Sequence, residues 1–170
     1  MTATWTVLVC GDRASGDDGA ASAAVERLPR RLRSEVRIRS CSELQPGELV
    51  SALLSGPCLV LDTVEGVAPG AVISVPLAEL LTGGSPNLRS SHAIAMPLVV
   101  RLAAAVGAPL AAGTFLGIGG SAYHAAGPLS RDVDAALDGY VAAIVTHLRP
   151  GTPARRASRR RRPAAKPLRG

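Results

Sequence analysis

Three side chains of this 170-residue chain stand where chemistry could be done: Asp18, Asp62 and His92. Ligands in an open α/β sheet gather beyond the carboxyl ends of the strands. Asp18 opens the helix after the first strand, Asp62 ends the third strand, and His92 follows a loop that leads into a helical segment. Two carboxylates and one imidazole arriving from separate segments make a three-ligand site for a divalent transition metal, with coordination positions left open. The imidazole must be neutral to bind, and a helix N-terminus beside it would lower its pKa and favour that form. Each residue also has a plainer reading. Asp17 or Asp18 can serve as a helix-terminal charge, Asp62 as an acceptor for loop amides, and His92 as a polar loop residue.

Other chemistries find less support. Gly11, Gly16 and Gly19 give a glycine-rich turn, but no GK[ST] follows and their spacing is not GxGxxG, so a nucleotide site is not indicated. Ser90 and Ser91 beside His92, with Asp62 at a distance, invite a Ser-His-Asp reading. Neighbouring residues rarely aim a hydroxyl at the next ring, however, and there is no GxSxG elbow. Cys10, Cys41 and Cys58 are odd in number, widely spaced and set in or beside apolar segments. They read as reduced core thiols of a cytosolic protein. His124, in a Gly/Ala loop, has no evident partner.

The elements that must position these residues follow from the apolar pattern. Trp5 to Cys10 is a strand buried on both faces. Ala21, Ala24, Val25 and Leu28 recur at helical spacing, with Asp17 and Asp18 ahead of them and Arg27, Arg30 and Arg31 at the end, an order that suits the helix dipole. Val36 to Arg39 alternates as a second strand, and Glu43 to Leu54 is a helix with Pro46 in its first turn. Cys58 to Asp62 is a third buried strand and Ala71 to Val75 a fourth. Only Thr63 to Pro69 lies between their cores, too short for a parallel crossover, so the fourth should run antiparallel to the third. Ile94 to Val106 is helical, with a start near Met96 or a kink at Pro97 both open. Thr114 to Ile118 is a fifth strand, and Val133 to Leu148 a last helix with Ser130 as N-cap.

Composition bounds the class. Hydrophobic residues make up 47% and charged residues 19%, while 18 Gly and 13 Pro imply many breaks, so the body is globular and not a coiled coil, collagen or disulfide scaffold. The formal charge of +6 is a property of the tail. Nine of the 19 Lys and Arg residues lie from Arg149 onward with no acid among them, leaving ten bases against 13 acids, a net −3, in the rest. Residues 1–148 are therefore expected to form one α/β domain, and 149–170 a disordered Arg-rich tail that cannot bury enough apolar surface to order itself. No aromatic interleaving or nucleic-acid motif accompanies that charge, so nucleic acid is not the expected partner, although the tail could meet an acidic surface. Met1 to Cys10 lacks a basic n-region, and Leu102 to Ser130, although free of Asp, Glu, Lys and Arg, is punctuated by glycines and Pro109. A cytoplasmic protein without membrane insertion is expected.

Taken in order, these pieces resemble the hydrogenase maturation endopeptidases, which trim the C-terminus of the precursor large subunit of nickel-iron hydrogenases. The family's apolar strand, Gly-Asn, short loop and Asp-Asp/Glu-Gly are matched by Val7-Leu8-Val9-Cys10-Gly11-Asp12 and Asp17-Asp18-Gly19. Its strand ending in Asp and the following Pro-Gly turn are matched by Leu59-Val60-Leu61-Asp62 and Pro69-Gly70, its Ser-x-His by Ser90-Ser91-His92, and its later Gly-Ile and Leu-Ser by Gly117-Ile118 and Leu129-Ser130. The resemblance spans residues 5–148. It implies a phosphorylase/hydrolase-like three-layer α/β/α sandwich with a five-stranded mixed sheet whose fourth strand is antiparallel. It implies an endopeptidase in which Asp18, Asp62 and His92 are both the catalytic and the metal-contacting residues, with nickel supplied by the hydrogenase large-subunit precursor. Asp12 stands where the family has Asn, which would add negative charge near the site. The alternative function on this fold is a non-catalytic scaffold that uses its loops and basic tail.

Overall fold

The structure, a computed structural model, describes residues 4–82, 89–90, 95–123 and 126–149. The Arg-rich tail expected over 149–170 lies outside the described residues apart from Arg149. Inside the sheet is β1 (Thr6–Cys10), buried at all five positions. It lies between two parallel neighbours, β2 (Arg37–Cys41) and β3 (Cys58–Glu65), which is why its sequence is a continuous apolar run. Beyond β3 come the strands β4 (Val72–Pro76), β5 (Arg89–Ser90) and β6 (Gly113–Gly119). β6 pairs with β3 in parallel and β4 pairs with β6 antiparallel, giving the order β2-β1-β3-β6-β4. The two-residue β5 adds to the end of β3 in antiparallel sense.

The expected five-stranded mixed sheet with a reversed fourth strand is the observed main path, and β5 is an addition to it. The short β3–β4 connection does force reversal, but β4 does not lie beside β3, because β6 returns later and inserts between them. Glycine makes this tight edge possible. A β-carbon at Gly119 would overlap the Ala68 carbonyl, and one at Gly113 would press into the side chains of Leu77 and Leu53.

Helices cover both faces. α1 (Ala20–Arg27) and α5 (Arg131–Leu148) close one core with Val7, Val9, Leu59, Leu61, Leu116 and Ile118. α3 (Pro46–Ser55), α4 (Met96–Ala105) and the 3-10 turn Leu77–Leu81 close the other with Leu8, Cys10, Val60, Val64 and Phe115. Ala20, Ala21 and Ala24 are fully buried, small enough to let α1 lie close against its neighbours. The first helix does not run on to Arg31. It stops at Arg27, because Pro29 holds Leu28 extended (ψ 144°), and a separate helix, α2 (Arg30–Glu35), follows with no buried residue. The helix over 94–106 begins at Met96 with Pro97 in its first turn, where the missing N–H costs nothing. Among the described residues no helix is long and apolar enough to cross a membrane.

α5 is tied to the sheet by Tyr140, fully buried, whose hydroxyl donates to the Leu116 carbonyl at 2.8 Å. Tyr140→Phe should lower stability by about 1 kcal/mol through loss of that bond. Tyr140→Ala should cost about 4 kcal/mol by adding a cavity. Urea denaturation midpoints of the two variants would check the ranking.

Candidate active site

The loop after β1 is built on Gly11. Its φ of +103° is a conformation other residues resist, and a β-carbon there would overlap the carbonyl oxygen of Asp18. That close approach folds the loop back so that the Asp12 N–H donates to Asp18 Oδ2 at 2.6 Å. The Asp12 carboxylate turns the other way, accepting from the Ser15 hydroxyl at 2.6 Å and the Ala14 N–H at 3.0 Å. The Ser15 hydroxyl and then the Ala14 amide hold its pKa below the usual carboxylate range. The Asp12 side chain is thus exposed and bonded within its own loop.

Asp17 does something its sequence position does not advertise. Fully buried at the start of the 3-10 turn Asp17–Gly19, its carboxylate collects donors from more than 100 residues away. Oδ1 accepts the Ser130 N–H at 2.6 Å. Oδ2 accepts the Ser121 N–H at 2.8 Å, the Ala122 N–H at 2.9 Å and the Ser130 hydroxyl at 2.9 Å. Burial pulls its pKa upward, but the amides of Ser121, Ala122 and Ser130 and the Ser130 hydroxyl outweigh it and leave the carboxyl below its ordinary value. Ser130 does occupy the N-cap position of α5, yet its hydroxyl bonds Asp17 instead of the helix's own first turn. Asp17 therefore fastens the loop between β6 and α5 onto the loop after β1. The short bridges Gly16 to Tyr123 and Ser15 to Gly127 reinforce the same seam.

Asp62 lies within β3, three residues before its end at Glu65, not at the terminus of the strand as its sequence suggested. Side chains alternate along a strand, so Val60, Asp62 and Val64 share the α3–α4 face while Leu61 and Thr63 share the α1–α5 face. Asp62 is fully buried, and its Oδ1 accepts the Thr63 N–H at 2.8 Å. Opposite it in register is Gly117, which presents no side chain. Cys10 shares this face, and the nearby negative charge of Asp62 is one of the influences, after the Cys41 hydrogen bond and burial, that raise the Cys10 thiol pKa.

One hydrogen bond joins the turn after β1 to β3. Thr63 Oγ1 donates to the Asp17 carbonyl at 2.8 Å, so Asp18 and Asp62 are the chain neighbours of a directly bonded pair. His92 and His124 lie outside the described residues. The flanks of His92 are described: Ser90 pairs with Val64 on β3, and Met96, in the first turn of α4, joins the core cluster that contains Val64. Among the described residues no three His, Cys, Asp or Glu are grouped to hold a metal ion.

Against solved structures, 86% of the chain aligns with 99% of a nickel-iron hydrogenase maturation protease, HybD, from Thermococcus kodakarensis, at TM-score 0.61 and 19% identity. An Escherichia coli endopeptidase, HycI, aligns over 82% of this chain and 87% of its own, at TM-score 0.60 and 16% identity. The Escherichia coli hydrogenase maturating endopeptidase HybD aligns over 85% and 91%, at TM-score 0.59 and 17% identity. The chain has the fold of the hydrogenase maturation proteases. No family model and no curated protein matches the sequence.

Because the Asp17 carboxyl is held below its usual pKa, its contribution to stability is full above about pH 4 and disappears as pH falls through the lowered value. Asp17→Asn, which sets an amide donor against amide donors, should cost about 3 kcal/mol at pH 7. The difference from wild type should shrink below about pH 4. Denaturant titrations of both proteins from pH 7 to pH 3 would measure this, and an unchanged gap across that range would refute the role given to Asp17.

Proposed function

We propose that this chain is an endopeptidase that removes a C-terminal peptide from the nickel-loaded precursor of a hydrogenase large subunit. The observation that supports the reading is the fold that the solved maturation proteases share, together with the Thr63–Asp17 hydrogen bond, which joins the chain neighbours of Asp62 and Asp18. Asp18, on a turn, and Asp62, within a strand, are held by backbone elements and not by long flexible stems. Such placement suits carboxylates that must meet a metal at fixed geometry.

Nickel enters as part of the substrate. Asp18, Asp62 and His92 would contact it, and the ion would polarise the scissile carbonyl or a bound water. His92 would have to be neutral for this, since a protonated imidazole has no lone pair to offer a metal. The metal then acts as the signal that the precursor is ready, and an empty precursor is left uncut. Residues 1–148 suffice for this activity in the proposal, the tail from Arg149 is dispensable for it, and the cytoplasm, where the precursor would be assembled, is the compartment.

Intact-mass analysis of a nickel-loaded large-subunit precursor incubated with the protein tests the reading. Wild type, and the chain truncated at Arg149, should release one C-terminal fragment. Asp62→Asn and His92→Ala should slow release on the order of 100-fold or more, and precursor lacking nickel should stay intact. If no fragment forms while wild type and His92→Ala bind the precursor equally, and binding falls steeply with salt, the fold is serving as a scaffold through its basic tail.

A further inference from the structure

Cys10 and Cys41 lie 31 residues apart in the chain, but they end adjacent strands at the same register position of the parallel β1–β2 pair. Their sulfur atoms are 3.6 Å apart. Neighbouring strands lie about 4.8 Å apart, inside the Cα separation of about 4.4–6.8 Å that a disulfide spans. The sulfurs must therefore close by only about 1.5 Å to bond at about 2.05 Å. Cys10 is fully buried among Leu44, Leu49 and Val60, whereas Cys41 is partly exposed at the sheet edge. The third thiol, Cys58, is in register with Thr6, four residues back along β1 from Cys10 and so about 13 Å away at strand spacing. Burial pushes its pKa up to about 12.

We propose that Cys10 and Cys41 are a two-thiol oxidation site that a hydroperoxide converts into an intramolecular disulfide joining the ends of β1 and β2. Cys41, the accessible member, attacks the peroxide first. Its sulfur takes a hydroxyl oxygen, the O–O bond breaks, and the alcohol leaves with the thiol's proton. Cys10 sulfur then attacks Cys41 sulfur, the S–O bond breaks, and the departing hydroxide takes the Cys10 proton as water. Two thiols are oxidised by two electrons and one peroxide is reduced to an alcohol and water. The bond would form at the strand end from which Gly11 N–H reaches the Ser42 carbonyl at 3.3 Å and against which Asp18 packs. It would fix the approach to the loop that carries Asp18. The inference stands on the thiol geometry and is independent of the cleavage proposed above.

The test is oxidation of the folded full chain with tert-butyl hydroperoxide, alkylation of remaining thiols, digestion and peptide mass analysis. The expected product is one linked peptide pair containing Cys10 and Cys41, two hydrogens lighter than the reduced pair, reversed by dithiothreitol. Cys58 should remain reduced, and oxidation in urea should lose this selectivity. Cys10→Ser should leave a sulfenic acid on Cys41 that dimedone traps, and Cys41→Ser should slow oxidation of Cys10 at least 10-fold, with circular dichroism confirming that both fold. Accumulation of Cys41 sulfinic acid beside reduced Cys10 in wild type, a Cys41-linked dimer, or pairing with Cys58 in the folded chain would each overturn the proposal.

Discussion

The buried Asp17 carboxylate is the constraint on which this edge of the molecule depends. A charge removed from water is tolerated only when its oxygens are filled by donors, and here the amides of Ser121, Ala122 and Ser130 and the Ser130 hydroxyl fill them. Those donors come from the loop that enters α5, so satisfying one side chain fixes the position of a helix and of the turn that carries Asp18. The same residue's carbonyl takes the Thr63 hydroxyl, which joins the turn to the central strand. A single residue thereby ties β1's loop, β3 and the β6–α5 loop into one unit.

Strand alternation then divides the labour at that junction. Thr63 faces the α1–α5 layer and bonds the Asp17 carbonyl, while Asp62, one position earlier, faces the α3–α4 layer. Rotating the strand by one residue would exchange them, placing a carboxylate against the Asp17 carbonyl and a hydroxyl in the site. Register here is fixed by the apolar pairs around it, Val60 and Val64 on one face and Leu59 and Leu61 on the other. The apolar residues of β3 are what hold a charged residue to one side.

Glycine sets how closely the pieces approach. Gly11 lets the Asp18 backbone sit against the end of β1, Gly117 lets Phe115, Val64 and Ile73 pack together over β6, and Gly119 allows the turn before β4 to close over the end of β6. Any β-carbon at Gly11 or Gly119 would meet a backbone carbonyl, which cannot swing aside as a side chain can. Close packing of this kind, at the end of a sheet with Cys10 and Cys41 in contact beside it, makes the strand ends both the most constrained part of the fold and the part with the most chemistry.

The sequence by itself determined the layers and the reversal of β4, because these follow from short-range physics: apolar periodicity, proline and glycine placement, and the length of one connection. Asp62 stood out as a polar residue after an apolar run, although it lies within β3 and not at its end. Asp17 was legible only as a helix-terminal charge, and the break at Leu28–Pro29 was hidden by the helical spacing that spans it. Tertiary structure alone decided that β6 lies between β3 and β4, that Ser130 serves Asp17 before its own helix, and that Cys10 meets Cys41. Each of these joins residues tens to more than 100 positions apart, and their partners carry no local mark. A hydrogen bond or thiol contact of that kind exists only after the core has closed, when burial makes an unsatisfied group too costly to leave and strand register dictates which residues face one another.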